Sequence, residues 1–319
     1  AILFLMWGSI VSLNDILIPH FKKLFEMNYT ETMLIQFSFF GAYFLVSFPA
    51  SLIVEKIGYQ KGIVVGLLII CLGSLLFLPA SWLISYPLFL FGLFMMAAGS
   101  VFLQVVATPY ISILGPLETA SSRLNLAEGL TALGATFTPL LGAFLILGNY
   151  NSLQEQAAKV QLPYVSIAVI ALLVAVVFIL VKLPAFKNEN NKSKKTNVLK
   201  FRQLRLGVIA LTLYVGAEVS VASFIVIFLS EPDIANLSHQ TAAQYIPFYW
   251  GGLLIGRFIG SAILQKVQTH TVLAWAAVSS LVLIGIAIFT NGYIAMWSIL
   301  AVGLFNSIMW PNIFSLASD

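Results

Sequence analysis

Charge is scarce in this sequence. Of its 319 residues only 9% are Asp, Glu, Lys or Arg, where a soluble domain carries about 25%, so a water-exposed globular surface is excluded. Cysteine is scarcer still. The single Cys71 sits in an apolar run; it has no second thiol for an internal disulfide, and one thiol is too few for a soft-metal site. A nucleophile-base triad, a phosphate-binding glycine loop and a cluster with metal-ligand spacing are also lacking. An enzyme is therefore not expected, nor a cofactor or metal. The positive excess, 16 Lys and Arg against 12 Asp and Glu, is concentrated in one stretch. The pI near 9.1 thus reflects topology in a membrane and not a nucleic-acid partner.

Apolar surface is what abounds: 60% of residues are hydrophobic and mean hydropathy is +0.98. A hydrocarbon core of ~30 Å is crossed by about 20 residues of helix. Ten apolar stretches are expected as spans, at about 1–21, 33–54, 63–78, 88–114, 124–147, 164–181, 206–229, 245–264, 272–289 and 293–316. Polar breaks fall at 21–31, 55–62, 115–123, 148–161 and 231–244, and Pro79 and Pro87 bracket a short loop. The expected fold is an all-α, multi-pass membrane protein. No cleavable signal segment precedes the first span; Ala1 already lies within it, so further residues are expected upstream.

Basic residues orient the chain. Lys56, Lys61, Arg123, Arg257, Lys266 and the run Lys182, Lys187, Lys192, Lys194, Lys195, Lys200, Arg202 and Arg205 fall in even-numbered loops, whereas odd-numbered loops hold Lys22, Lys23 and Lys159. By the positive-inside rule the even loops and the N-terminus are cytoplasmic. Three segments follow: an N-terminal half of six helices at 1–181, a basic cytoplasmic linker at 182–205, and a C-terminal half at 206–319 with four helices. The halves echo each other. At an offset of 210, Gly41, Phe48, Ser51, Ile53 and Lys56 match Gly251, Phe258, Ser261, Ile263 and Lys266; at 202, Gln104, Pro109, Ile111 and Leu114 match Asn306, Pro311, Ile313 and Leu316. Both offsets pair helix n with helix n+6, as in two parallel six-helix halves. On that scheme two further spans are expected after Asp319.

Asp15 stands in the middle of the first span. An ionised carboxylate there costs at least about 2.5 kcal/mol, so it faces a cavity or partner, or is neutral. Intramembrane acids usually carry protons, ions or polar substrates; the plainer alternative is an Asp paired with Asn14 or a neighbouring helix for packing. Four more polar residues lie within spans, Gln104, Glu128, Glu218 and Asn306, and Trp310 adjoins Pro311. Amides and carboxylates hydrogen-bond the hydroxyls of a polar solute, and an aromatic face stacks on an apolar ring face. Each has a plainer role too. Gln104 and Asn306 could bridge helices, Glu128 could be a helix-start carboxylate near Arg123, and Trp310 an interfacial belt residue. The Trp310–Pro311 pair suggests a discontinuous helix. His20 is expected as a solvated interface group or a proton relay, His239 and His270 as loop residues, and Arg257 as a cytoplasmic gate or snorkelling charge.

Particular strings then carry a resemblance. Leu13-Asn14-Asp15-Ile16-Leu17-Ile18-Pro19-His20-Phe21, Leu34-Ile35-Gln36-Phe37, Phe40-Gly41-Ala42-Tyr43-Phe44 and Arg123-Leu124-Asn125-Leu126 resemble the fucose permease and glucose/galactose transporter group of the major facilitator superfamily. Tyr214-Val215-Gly216-Ala217-Glu218-Val219-Ser220 and Phe305-Asn306-Ser307-Ile308-Met309 are similar to the glucose/galactose branch. The resemblance implies the major facilitator fold, sugar uptake by alternating access, and an essential acid at Asp15 in the Asn14-Asp15 motif. Fucose permease has a second acid on its fourth helix, where this sequence has Gln104. Where the group typically reads Leu-Asn-Leu-(Ala/Thr)-Gln-x-Phe-Asn, this chain has Glu128 for the first amide and Thr131 for the second.

The expected function is import of a neutral monosaccharide, glucose or galactose foremost and fucose as a possibility, by proton symport. Asp15 carries the proton; Asn14, Gln104, Glu128, Thr131, Glu218, Asn306 and Trp310 contact the sugar. The carrier is expected as a monomer in the lipid bilayer of the inner cell membrane. Two alternatives stay open: a Na+-coupled carrier, and a membrane sensor that binds sugar without moving it.

Overall fold

The structure, a computed structural model, describes residues 1–146, 152–181, 200–238, 241–242 and 244–318. Ten of its helical segments are long and apolar enough to cross a membrane. The first two are α1 (Ile2–Leu24) and α2 (Tyr29–Ile57); the third joins α3 (Tyr59–Leu75) and α4 (Phe77–Trp82). Next come α5 (Tyr86–Ile113) and α6 (Ala120–Ile146), and the sixth segment joins α7 (Leu153–Ala158) and α8 (Gln161–Leu180). After these follow α9 (Arg202–Ser230), α10 (Ile246–Ile263) and α11 (Thr269–Phe289), and the tenth joins α12 (Gly292–Asn306) and α13 (Met309–Ser318).

The ten expected spans are all present, with several boundaries moved. The break at 21–31 shrinks because α1 runs to Leu24 and α2 starts at Tyr29, where Asn28 and Glu31 form a reciprocal capping box. The third span crosses Pro79, which sits in the first turn of α4, where its missing N–H costs nothing. The 148–161 loop contains α7, N-capped by Ser152 on the Glu155 amide. Of the 182–205 linker, residues 182–199 lie outside the described residues, and Arg202 and Arg205 already belong to α9, their long stems able to carry charge outward. His270 lies in the first turn of α11 and not in a loop, and His239 lies outside the described residues.

The chain clusters into two compact units, one of residues 1–110 and 133–187, the other of 111–132 and 188–319. In the first, α3 packs on α8 and closely on α5. Gly66 and Gly73 of α3 meet Gly99 and Gly92 of α5 so closely that a Cβ on Gly99 would lie 2.5 Å from the Gly66 carbonyl oxygen. Small residues give membrane helices backbone contact that the surrounding lipid cannot match. Phe77 and Tyr164, both fully buried, stack with centroids 3.6 Å apart. In the second unit α12 is flanked by α10 and α11, and α13 packs on α9. Here a Cβ on Gly256 would lie 2.3 Å from the Leu304 carbonyl oxygen. Tyr249, Leu253, Leu300 and Val302 form the dry centre. Side chains such as Phe44, Phe144 and Phe289 remain more than four-fifths exposed, which hydrocarbon solvent tolerates and water does not.

Candidate functional site

Asn14, Asp15 and Gln104 belong to the first unit. Asn14 is buried, and its Nδ2 donates to Gln36 Oε1 at 3.1 Å. The two motif strings on α1 and α2 are thereby tied together. Asn14 Oδ1 meets no hydrogen-bond partner among the described residues. Asp15 follows in the interior of α1. Gln104 is half-buried and, with Trp7, lines a cleft of about 10 Å³ between α1 and α5. The indole of Trp7 donates to the Tyr43 hydroxyl at 2.8 Å, which adds two aromatic polar groups that sequence reasoning did not single out. His20 is buried, 2% exposed, and not a solvated group; its imidazole is held at the main chain of Ile146 and Gln156.

The second unit gathers Glu128, Thr131, Glu218 and Asn306. The helix α6 starts at Ala120, earlier than the expected 124, because its polar first turn finds partners: Ser122 Oγ donates to the Ser261 carbonyl at 2.7 Å and Thr269 Oγ1 to Ser121 Oγ at 2.9 Å. Glu128 is therefore more than two turns into the helix, and it is 3% exposed. Arg123 does not neutralise it. The Arg123 guanidinium instead binds the carbonyls of Ile111, Ser112 and Pro116 and the Thr119 hydroxyl, closing the end of α5. The oxygens Glu128 Oε1 and Thr131 Oγ1, one turn apart on α6, meet no hydrogen-bond partner among the described residues.

Arg257 is the centre of this group. Half-buried on α10, it donates from Nη1 to the Glu128 carbonyl at 2.9 Å, and its charge acts on the carboxylates of both Glu128 and Glu218. Its guanidinium is bound to two main-chain carbonyls, those of Glu128 and Ser307. The same test that isolates Asp15, a charge inside an apolar helix, would have found it. The Tyr214 hydroxyl reaches the Glu218 side chain and donates to the Asn306 carbonyl at 2.8 Å. Asn306 is itself bound on both sides of its amide: Nδ2 donates to the Tyr249 hydroxyl at 3.3 Å and Oδ1 accepts from Ser280 at 3.1 Å.

The tenth span breaks at Ser307 and Ile308, next to the expected Trp310–Pro311 pair. Pro311 has no N–H for the Ser307 carbonyl. Arg257 Nε donates there at 3.4 Å, Tyr214 serves the Asn306 carbonyl, and Ser307 Oγ donates to Leu304 at 2.6 Å. Trp310 stacks on Phe314, centroids 5.5 Å apart. Among the described residues no group of three His, Cys, Asp or Glu could hold a metal ion.

A membrane helix bundle with a buried carboxylate, buried amides and a broken helix carries the polar groups that intramembrane sites are built from. The model of the Major Facilitator Superfamily matches residues 1–319. The chain belongs to that superfamily. Among its superfamily relatives, the "Glucose/galactose transporter" of Brucella abortus biovar 1 (strain 9-941) is 48% identical over 99% of this chain and 78% of its own length. The "L-fucose-proton symporter" of Escherichia coli (strain K12) is 33% identical over 98% and 77%. The crystal structure of the superfamily transporter FucP in the outward conformation superposes with a TM-score of 0.88 at 33% identity, covering 99% of this chain and 82% of that one. The chain thus has the all-α major facilitator fold and is a multi-pass membrane protein whose relatives are named transporters and symporters, not enzymes.

Proposed function

We propose that the protein is a secondary active transporter that imports a neutral monosaccharide, glucose or galactose foremost, by proton symport with alternating access. The observation that carries this reading is 48% identity along 99% of the chain to a protein named glucose/galactose transporter. The relative named L-fucose-proton symporter supports the proton as coupling ion.

Asp15 takes up a proton from outside, which neutralises it and lowers the cost of occluding the loaded site. Asn14, Gln104, Glu128, Thr131, Glu218, Asn306 and Trp310 bind the sugar. Support comes from buried oxygens with unused hydrogen-bond capacity, Asn14 Oδ1, Glu128 Oε1 and Thr131 Oγ1, since buried polar atoms normally have partners and a polyol supplies donors at the required density. The chain is organised as halves at 1–181 and 206–319, joined by the basic linker. It works as a monomer in the lipid bilayer of the inner membrane, with its N-terminus in the cytoplasm.

The test is uptake of radiolabelled D-glucose, D-galactose and L-fucose into proteoliposomes holding the full-length protein, with an inward proton gradient imposed or collapsed. Gradient-driven accumulation of glucose or galactose, indifferent to sodium at fixed pH, is the expected result. Uptake that needs sodium overturns the coupling ion, and binding without uptake makes the protein a sensor.

A further inference from the structure

Asn14, on α1, and Gln36, on α2, are amides inside two apolar helices, and Gln36 is the one amide side chain of α2. Asn14 Nδ2 donates to Gln36 Oε1 at 3.1 Å; Asn14 is 1% exposed and Gln36 is half-buried. About two turns away along both helices, the Trp7 indole donates to the Tyr43 hydroxyl at 2.8 Å and ties α1 to α2 a second time. The helix α2 is held elsewhere too: the Ser38 hydroxyl donates to the Leu90 carbonyl at 2.7 Å, and the Tyr86 hydroxyl to the Glu31 carbonyl at 2.8 Å. The packing of α2 therefore does not depend on Gln36 alone.

Asn14 is engaged on one side only. Amides often bridge membrane helices for packing, but a bridge of that kind gives no reason to leave a buried oxygen open, which is costly. Asn14 Oδ1 has no hydrogen-bond donor among the described residues. Because Nδ2 is engaged at Gln36 Oε1, the amide is turned so that Oδ1 is the atom left to present. A carbonyl oxygen can only accept, so what it lacks is a donor. A sugar hydroxyl supplies one.

We propose that Gln36 is a positioning residue for sugar recognition: its Oε1 holds the Asn14 amide in the orientation in which Oδ1 accepts a hydrogen bond from one hydroxyl of the sugar. Without that acceptor the amide is free to turn over and present its N–H groups instead. The contact selects for a donor, so a hydroxyl satisfies it and a C–H or C–F group does not. This inference rests on the reading of the chain as a sugar carrier with Asn14 in its site, and holds for either coupling ion.

The test is the KM of initial uptake into proteoliposomes holding the full-length protein, for whichever of D-glucose, D-galactose and L-fucose the native protein takes up. Gln36→Met removes the acceptor at similar volume. It is expected to raise KM about three- to tenfold, the effect of losing one hydrogen bond, with the maximal rate per folded carrier unchanged. Gln36→Glu keeps an acceptor oxygen and is expected to restore the native KM. In an Asn14→Ala background, where KM is already raised, Gln36→Met adds nothing. A lowered maximal rate at unchanged KM would mark Gln36 as structural, and equal losses with and without Asn14 would show that it acts by another route; either overturns the proposal, as does a Gln36→Glu variant no better than Gln36→Met. A second arm needs no Gln36 variant: the same sugar carrying fluorine for hydroxyl at one carbon at a time. Fluorine cannot donate, so at least one analogue is expected to show a KM about three- to tenfold above its parent's in the native protein and equal to its parent's in Asn14→Ala. Analogues that all match their parent in the native protein overturn the proposal even where a variant fails to fold. Native protein that takes up none of the three sugars overturns the carrier reading itself, a failure seen before any variant is compared.

Discussion

The Tyr214 hydroxyl donates to the Asn306 carbonyl oxygen at 2.8 Å, at the point where the tenth span is interrupted. Together with Arg257 Nε on the Ser307 carbonyl, it replaces helix hydrogen bonds that the break removes. A carbonyl left unsatisfied away from water costs about 1–3 kcal/mol, while a typical hydrogen bond contributes about 0.5–1.5 kcal/mol net. Tyr214→Phe is therefore expected to destabilise the protein by about 1–3 kcal/mol. Tyr249→Phe removes a longer bond, 3.3 Å, from a side-chain amide that keeps Ser280, and is expected to cost about 0.5–1.5 kcal/mol or less. Thermal unfolding in detergent ranks the two; equal losses would mean that the break does not depend on Tyr214.

Asp15 is expected to separate accumulation from movement. With Asp15→Asn the position is permanently neutral, so a proton gradient has nothing to act on there, while the sugar path is intact. Gradient-driven accumulation falls to background, and counterflow exchange of labelled for unlabelled sugar survives. In the native protein accumulation rises as outside pH falls, since more protons are available for uptake from that side; in the variant exchange is flat over the same range. Accumulation surviving in the variant would remove Asp15 from the coupling role.

Gly99 and Gly285 are expected to respond with opposite sign to the same substitution. A methyl group on Gly99 would lie 2.5 Å from the Gly66 carbonyl oxygen and 2.8 Å from the Ile70 amide nitrogen, both backbone atoms that cannot step aside, whereas nothing lies within 4 Å of one on Gly285. Overpacking costs about 1–3 kcal/mol. Removing a glycine from a helix interior without a clash gains about 0.5–1 kcal/mol. Melting temperatures of Gly99→Ala and Gly285→Ala in detergent check this.

The spans were legible because hydrocarbon leaves the backbone one solution, a helix, and the side chains one composition. Their ends were less so. Ser121 and Ser122 look like turn residues in isolation, and become helical through partners on Ser261 and Thr269, more than 130 positions later. Polar residues inside spans were legible as candidates for the same reason, a few hydrophilic groups against an apolar background. Their partners were not, since periodicity carries no information about which helices touch. Arg257 shows the cost: a basic residue near the end of a span reads as a loop charge, whereas it sits within α10 and donates to the Glu128 carbonyl at 2.9 Å.

Asn125 and Asn312 provide the sharpest test of how a second-unit contact is held. Asn125 Nδ2 donates to Asn312 Oδ1 at 2.9 Å, both residues are fully buried, and the remaining amide atoms, Asn125 Oδ1 and Asn312 Nδ2, have no partner among the described residues. Replacing one residue by alanine strands the facing amide, at about 1–3 kcal/mol. Replacing both removes the stranded group as well, so the double variant loses less than the sum of the singles. Polar contacts between membrane helices average about 0.6 kcal/mol and reach about 1.7. Because Asn125 also donates to the Ser121 carbonyl at 2.8 Å, part of its loss is independent of Asn312. A coupling of about 0.6–1.7 kcal/mol is thus expected from a double-mutant cycle on unfolding free energies. Strict additivity would mean that the two amides do not stabilise each other.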